Sequence, residues 1–298
     1  MNQMFLHKKI TPQQKHGIIV CLPKSNGERT PNGYRPISLL TTEYKLLARI
    51  MARRLRHVLK DHLHTSQFCG VPGYSILEMA SLVGDAIAYT ESSGSPLSVL
   101  TLDFQQALDR ISHHYLFQIL HRYGISEWFI ERLHALYENA TASVQIDRTL
   151  AGPIPIQSAV RQGCPLSLIL YALCLHPLLR TPEDNLPGIR LGPSTRSPPV
   201  VAYADEVTVL VTQPGDFAII HETVRFYEKA TGAKLNSQKS KALPNGGWSQ
   251  SATELGIESH DQVTILGIQY GTTIAKSVKD SWAGAVRSAR AQARKAYA

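Results

Sequence analysis

Two acidic positions in this sequence stand where acids are costly. Asp103 closes the apolar run LSVLTLDF, and Asp205 with Glu206 interrupts VVAYADEVTVLV between two β-branched stretches. Such runs read as buried strands, and desolvating an unpaired carboxylate there is expensive. If the two runs are neighbours in one sheet, their carboxylates converge at one edge. They then repel, and one titrates high unless a cation intervenes. Hard oxygen donors with few His or Cys nearby select Mg²⁺ or Mn²⁺. Two such ions can clamp the attacking and leaving oxygens of a phosphoryl transfer. For a single Asp the plainer reading is a hairpin turn, which Asp favours. That reading does not account for the pair.

Charge elsewhere fits a polyanionic partner. Residues 1–60 carry a net +10 and residues 273–298 a net +5, leaving −7 between them. Basic ends around an acidic middle read either as polyanion-binding arms flanking a cation-holding centre, or as solvated surface charge. The longest apolar run, around LSLILYALCLHPLL, is too short to span a bilayer. The chain does not open on a signal-peptide pattern. Cys21, Cys69, Cys164 and Cys174 have no C-x-x-C spacing. A disulfide framework or zinc knuckle is therefore not expected, and the chain fits a reducing compartment.

The elements that must hold the acids follow from periodicity. HGIIVCLP reads as a strand running into the turn-rich SNGERTPNGYRP. TTEYKLLARIMARRLRHVLKDHL reads as a helix burying Leu47, Met51, Leu55 and Leu59. Its basic residues Lys45, Arg49, Arg53, Arg56 and Lys60 lie roughly 200° round the axis, opposite that stripe. Such a helix can face phosphates or simply water. YSILEMASLVGDAIAYTES is a second amphipathic helix, broken by ESSGSP before the strand that ends at Asp103. Two helices split at Gly124-Ile125, the paired strands TASVQID and GPIPIQS, and the apolar helix LSLILYALCLHPLLR come next. A Pro/Gly/Ser-rich loop, TPEDNLPGIRLGPSTRSPP, precedes VVAYADE. A helix near 215–232, the basic AKLNSQKSKAL, a strand near VTILGIQY and a basic helix close the chain. Mixed rather than alternating elements predict an α+β fold.

The blocks PKSNGERTPNGYRPISLLTTEYKLLARIMARRL, SQFCGVPGYSILE, LTLDFQQALDRISH, RQGCPLS, AYADE, TGAKLNSQKSKAL and ILGIQYG occur in this order. The order and spacing resemble the reverse transcriptase domain of non-LTR (LINE-type) retrotransposons. The resemblance implies a right-hand polymerase fold with fingers, palm and a partial thumb. Residues 1–270 would be an N-terminally incomplete fingers-and-palm domain, and 271–298 the start of the thumb. It implies an RNA-directed DNA polymerase whose partners are an RNA template, a DNA primer or target, and dNTPs. Asp103, Asp205 and Glu206 would be the catalytic acids. Asp103, the Phe104 carbonyl and Asp205 would hold two Mg²⁺ ions, with Mn²⁺ as an alternative.

Lys24 and Arg35 match positions that hold the triphosphate, and an Arg fork suits phosphate oxygens. Gln162 and Gly163 match the loop beside the incoming nucleotide. Leu108 would lie under the sugar. Lys239 would contact phosphate or donate a proton, or be an ordinary loop lysine. Arg49, Arg53 and Arg56 would track nucleic acid.

Several positions depart from the family pattern. The hairpin tip is usually Ala-Asp-Asp, and here Glu206 takes the last place. One extra methylene displaces its carboxylate by roughly 1.5 Å, one carbon–carbon bond, so weakened metal binding is expected. Leu108 replaces an aromatic that excludes the ribose 2′-hydroxyl, which predicts poorer rejection of ribonucleotides. Cys69-Gly70 stands for Gly-Phe and Tyr74 for Arg, so a phosphate contact is lost. The chain starts at the fingers and stops before a full thumb, as a fragment of a larger protein would. A second reading is a catalytically impaired or dead remnant that keeps the fold and nucleic-acid binding. A third is a maturase-like or domesticated enzyme.

Overall fold

The structure, a computed structural model, describes residues 7, 10–24, 30, 33–59, 66–69, 73–191, 195–246, 248, 255–273, 275, 277–284 and 286. Lys60 and the basic residues 287–298 lie outside the described residues, and so does the Leu59 side chain.

In chain order the elements are α1 (Pro12–Lys15), β1 (Gly17–Pro23), β2 (Tyr34–Leu40), α2 (Thr42–Leu59), α3 (Ile76–Ser93) and β3 (Leu97–Leu102). Then come α4 (Ala107–Arg110), α5 (His113–Arg122), α6 (Glu127–Tyr137), β4 (Thr141–Ile146), β5 (Thr149–Pro155) and α7 (Ser167–Asn185). The remainder is β6 (Val200–Tyr203), β7 (Glu206–Val211), α8 (Asp216–Thr231), β8 (Lys241–Asn245), β9 (Glu258–Ser259), β10 (Gln262–Ile265) and β11 (Ile268–Gly271). The expected α+β composition is present. The chain divides into two compact units, residues 1–63, 106–176 and 229–233, and residues 64–105, 177–228 and 234–298.

The first unit holds a four-stranded sheet in the order β2-β1-β4-β5. β1 is antiparallel to β2, with Leu22 opposite Arg35, and parallel to β4. The periodicity of α2 is realised: Leu47, Met51 and Leu55 are buried, joined by Tyr44, Ala48 and Ala52, while Arg49, Arg53 and Arg56 are exposed. β2 was not expected from the sequence. Pro36 demotes such a run, and β2 tolerates it because it is an edge strand.

The second unit is built on a five-stranded sheet, β6-β7-β3-β8-β9. The neighbouring strands β3 and β7 pair antiparallel from Ser98↔Val211 to Leu102↔Val207. Leu97, Val99, Leu100, Val207, Val209, Leu210 and Val211 are buried. Each such burial stabilises by about 1.5–3 kcal/mol before chain entropy is set against it. The edge of β6 is covered, since Phe68 N–H donates to the Ala202 carbonyl at 2.9 Å and Ala202 N–H to the Ser66 carbonyl at 2.7 Å. α3 begins at a Ser75–Glu78 capping box and ends at Gly94, whose φ of 67° fits glycine. Its Met79, Val83, Ala86 and Ile87 join one core cluster with Val99, Val201, Leu210 and Leu243.

Three further expectations change. VTILGIQY is not one strand but the hairpin β10–β11, turned at Leu266 (φ 52°) and Gly267 (φ 81°). Positive φ at both central residues is the signature of a type I′ turn. KALPN, whose first three residues end the segment read as basic, forms β8. Its Pro244 pairs with Ser98, and β9 reaches only Lys241 and Ala242, so no neighbour needs the missing N–H. The apolar helix does not stop before Thr181 but runs through Pro177 and Pro182 to Asn185.

Candidate active site

Asp103 lies one residue beyond β3, next to the last β3–β7 pair, Leu102↔Val207. Continuing that antiparallel register places Asp103 beside Glu206, on the same face of the sheet. Asp205 sits in the two-residue turn between Tyr203 and Glu206, the last pair of β6 and β7. The structure therefore brings the three acids of the sequence analysis to one edge of one sheet.

Two segments fix the backbone at Asp103. Its N–H donates to Ser240 Oγ at 3.0 Å, and its carbonyl accepts from Asn236 N–H at 2.8 Å. Gln105 N–H donates to the Lys234 carbonyl at 2.8 Å, so Phe104 and Leu235 form the bridge between these two bonds. In such a pair the middle residue's own carbonyl points away from the partner strand. The Phe104 carbonyl is thus directed away from Leu235, while its ring packs edge-on against Tyr227 at 5.5 Å. Lys239 lies exposed in the Asn236–Ser240 turn that holds Asp103, with its N–H on the Asn236 carbonyl at 3.0 Å.

The tip of the acidic hairpin is strained. Ala204 has φ 55°, where glycine is the usual residue of a type II′ turn. A side chain there costs about 1–2 kcal/mol. Cys69 lies beside it: burial pushes its thiol pKa up, opposed by the neighbouring Ala204 N–H and Tyr203 hydroxyl. Tyr74, another departure from the family pattern, packs edge-on against Phe68 at 5.3 Å.

Glu206 is engaged. Its Oε2 accepts the Leu266 N–H at 2.8 Å. Burial raises its carboxyl above the ordinary range, the Leu266 N–H opposes that, and Asp205 and Asp103 push it further up. Among the described residues, no three His, Cys, Asp or Glu side chains are grouped so as to hold a metal by themselves. Two aspartates with a main-chain carbonyl still suit Mg²⁺, which takes one or two carboxylates and completes its shell with water and substrate phosphates.

The other candidates belong to the first unit. Gln162 Nε2 donates to Asp109 Oδ2 at 3.0 Å. Burial raises the Asp109 pKa to about 6, against the lowering effects of Gln162 and of the Lys24 charge. Asp109 therefore holds Gln162 within the field of the Lys24 charge and directly follows Leu108, whose carbonyl accepts the Val160 N–H at 2.9 Å. Sequence reasoning passed over Asp109, although it lies inside the quoted LDFQQALD block.

Gly163 is required by the fold itself. Its φ is +100°, and a Cβ there would meet the Ser38 carbonyl oxygen at 2.7 Å. Arg35 stands exposed on β2. A cavity of about 740 Å³ on α5 and α6, lined by His113, His121 and His134 among others, contains none of the candidate residues.

Residues 22–270 match the family model described as reverse transcriptase (RNA-dependent DNA polymerase). The chain belongs to the reverse transcriptase family. This reverse transcriptase domain is 33% identical over 232 residues to the transposon TX1 uncharacterized 149 kDa protein of Xenopus laevis, covering 78% of the chain and 18% of that protein. It is 26% identical over 221 residues to the Pol polyprotein of the R2DM retrotransposable element of Drosophila melanogaster, covering 74% and 20%. It is 27% identical over 211 residues to the probable RNA-directed DNA polymerase from transposon BS of the same fly, covering 66% and 21%. The chain thus spans about a fifth of the length of these curated relatives.

Among solved structures, apo telomerase of Candida tropicalis truncated from its C-terminal domain matches with a TM-score of 0.59 at 17% identity, over 89% of this chain and 55% of that one. Candida tropicalis telomerase with a fragment of telomeric RNA matches with a TM-score of 0.61 at 15% identity, over 91% and 46%. The fold is the right-hand polymerase fold, and the domain is of the LINE type.

Proposed function

We propose that this chain is the nucleotidyl-transfer core of an RNA-directed DNA polymerase, adding dNTPs to the 3′-hydroxyl of a primer on an RNA template. The observation that carries this reading is the meeting of the Asp103 strand end with the Asp205 turn on adjacent strands of one sheet. Asp103, Asp205 and the Phe104 carbonyl are the donors that would hold two Mg²⁺, or Mn²⁺, ions. Bound there, such ions supply charge neutralisation for the triphosphate and a lowered pKa for the primer hydroxyl.

The protein's own residues do the rest. Lys24 and Arg35 hold the triphosphate by charge and by the guanidinium fork. Asp109 fixes the Gln162 amide for the incoming nucleotide. Leu108 packs under the sugar, and Arg49, Arg53 and Arg56 meet backbone phosphates from the exposed face of α2. Lys239 contacts phosphate or protonates the leaving pyrophosphate. Residues 271–298 begin the thumb.

Primer extension on an RNA template, with Mg²⁺ and with Mn²⁺, tests the reading. Asp103→Ala and Asp205→Ala are each expected to lower extension by about a thousandfold, several kcal/mol of lost transition-state stabilisation. Extension surviving both substitutions overturns the site. A wild-type chain that binds template but extends with neither metal is the impaired remnant instead.

A further inference from the structure

We propose that Glu206 is a positioning residue, a latch that fastens the β10–β11 turn to the acidic hairpin through the Leu266 N–H, and that its length over aspartate is what allows the reach. The inference deepens the polymerase reading of the same site and rests on it.

The turn supplies the donor. In a two-residue hairpin the flanking pair, here Ile265↔Ile268, exchanges the ladder bonds. The Leu266 N–H is left pointing out of the ladder, free to meet water or a side-chain acceptor. Glu206 Oε2 is that acceptor, at 2.8 Å. The far end of the hairpin is tied down separately: Tyr270 Oη donates to the Ala80 carbonyl at 2.8 Å, and Gly271 N–H to Ser277 Oγ at 2.8 Å. Val263, Ile265 and Tyr270 lie in the core. The latch therefore holds the tip of a hairpin whose body is already packed.

Its other end matters equally. Glu206 pairs with Tyr203 across the two-residue turn that carries Asp205. A Glu206 tethered to Leu266 restrains the base of that turn and with it the direction of the Asp205 carboxylate. Aspartate would draw the carboxylate back by roughly 1.5 Å. The contact would open to about 4 Å, beyond hydrogen-bonding distance. Glutamine keeps both the reach and an acceptor oxygen but gives up the charge. The two conservative changes therefore separate a latch from a metal ligand. A ligand tolerates Asp and fails as Gln, whereas a latch tolerates Gln and fails as Asp.

The test compares wild type with Glu206→Gln, Glu206→Asp and Glu206→Ala in the full chain. Hydrogen exchange at the Leu266 amide is read by NMR, beside primer extension at saturating dNTP and primer. The latch predicts severalfold faster Leu266 exchange in the Asp and Ala variants and near wild-type protection in the Gln variant. It predicts extension by Glu206→Gln at least about tenfold faster than by Glu206→Asp, the scale of cost for a misplacement of about 1 Å or more. Leu266 exchange unaltered in the Asp and Ala variants overturns the latch, as does an Asp variant that extends faster than the Gln variant. A wild-type chain without extension overturns the polymerase reading instead and leaves the exchange measurement to decide the latch.

Discussion

Glu206 in the second unit and Asp109 in the first are both carboxylic acids raised by burial, and both are answered by a hydrogen-bond donor. The donors differ. Glu206 accepts a backbone N–H whose place is set by a turn, whereas Asp109 accepts the end of a rotatable side chain, Gln162, with the Lys24 charge nearby. An acid on a backbone amide fixes the course of the chain. An acid on a side-chain amide fixes the aim of a functional group. Two carboxyls displaced in the same direction thus serve different ends, and the partner atom tells them apart.

The comparison breaks most visibly in kinetics. Asp109→Ala releases Gln162 and removes the negative charge near Lys24, and a lost hydrogen bond to a charged group is worth about 1.5–3 kcal/mol. The KM for dNTP is expected to rise tenfold or more, by roughly that free energy, with a smaller change in kcat. Glu206→Ala is expected to lower kcat and spare that KM. Steady-state extension over a dNTP series checks this, and both variants moving the same parameter would erase the distinction.

Leu108, beside Asp109, sharpens the same neighbourhood. Leu108→Phe is expected to raise selectivity for dNTP over rNTP about tenfold, of the order that packing differences supply. Equal selectivity in parallel incorporation assays would remove Leu108 from the sugar site.

Stability against pH separates burial from bonding at Asp109. A carboxyl raised to about 6 favours the folded state fully below its unfolded pKa, and that contribution is lost as pH rises through 6. Relative to Asp109→Asn, the wild type is expected to lose about 1–2 kcal/mol between pH 4 and pH 7. Denaturant titrations across that range would show it, and a flat difference would mean that Asp109 does not titrate high.

The smallest effects lie in the two turns that Glu206 joins. Ala204→Gly relieves a positive φ, and Gly267→Ala imposes a side chain on one, with open space around it. The two are expected to shift stability by about 1 kcal/mol in opposite directions. Thermal midpoints moving the same way would deny the strain at Ala204.

The acids at Asp103 and Asp205 were legible because each interrupts or closes a run that has no other reason to carry charge. The face of α2 was legible because helical periodicity separates Leu47, Met51 and Leu55 from Arg49, Arg53 and Arg56. The Leu266–Gly267 turn was not, because Leu-Gly lacks the Asn-Gly signal that marks type I′ hairpins. The latch on Glu206 was hidden with it, since a partner 60 residues away leaves no local pattern. Asp109 was hidden by its ordinariness, a lone acid in a single helical turn. The continuation of α7 was masked by Pro182. An interior proline costs about 3 kcal/mol, and the burial of Leu178, Leu179 and Leu186 overrides that local preference.

The prolines of β2, β5 and β8 have a use that periodicity does not register. β2 and β5 are the two outer strands of the first sheet, with Pro36 in one and Pro153 and Pro155 in the other. In the second sheet, Pro244 lies on β8 beyond the reach of β9, and the outer side of β6 is taken by residues 66–68. A ring without an N–H cannot extend a ladder, and a covered edge has nothing left to offer. At those positions a strand from another copy finds fewer free N–H groups to pair with, on the sides where sheets ordinarily recruit.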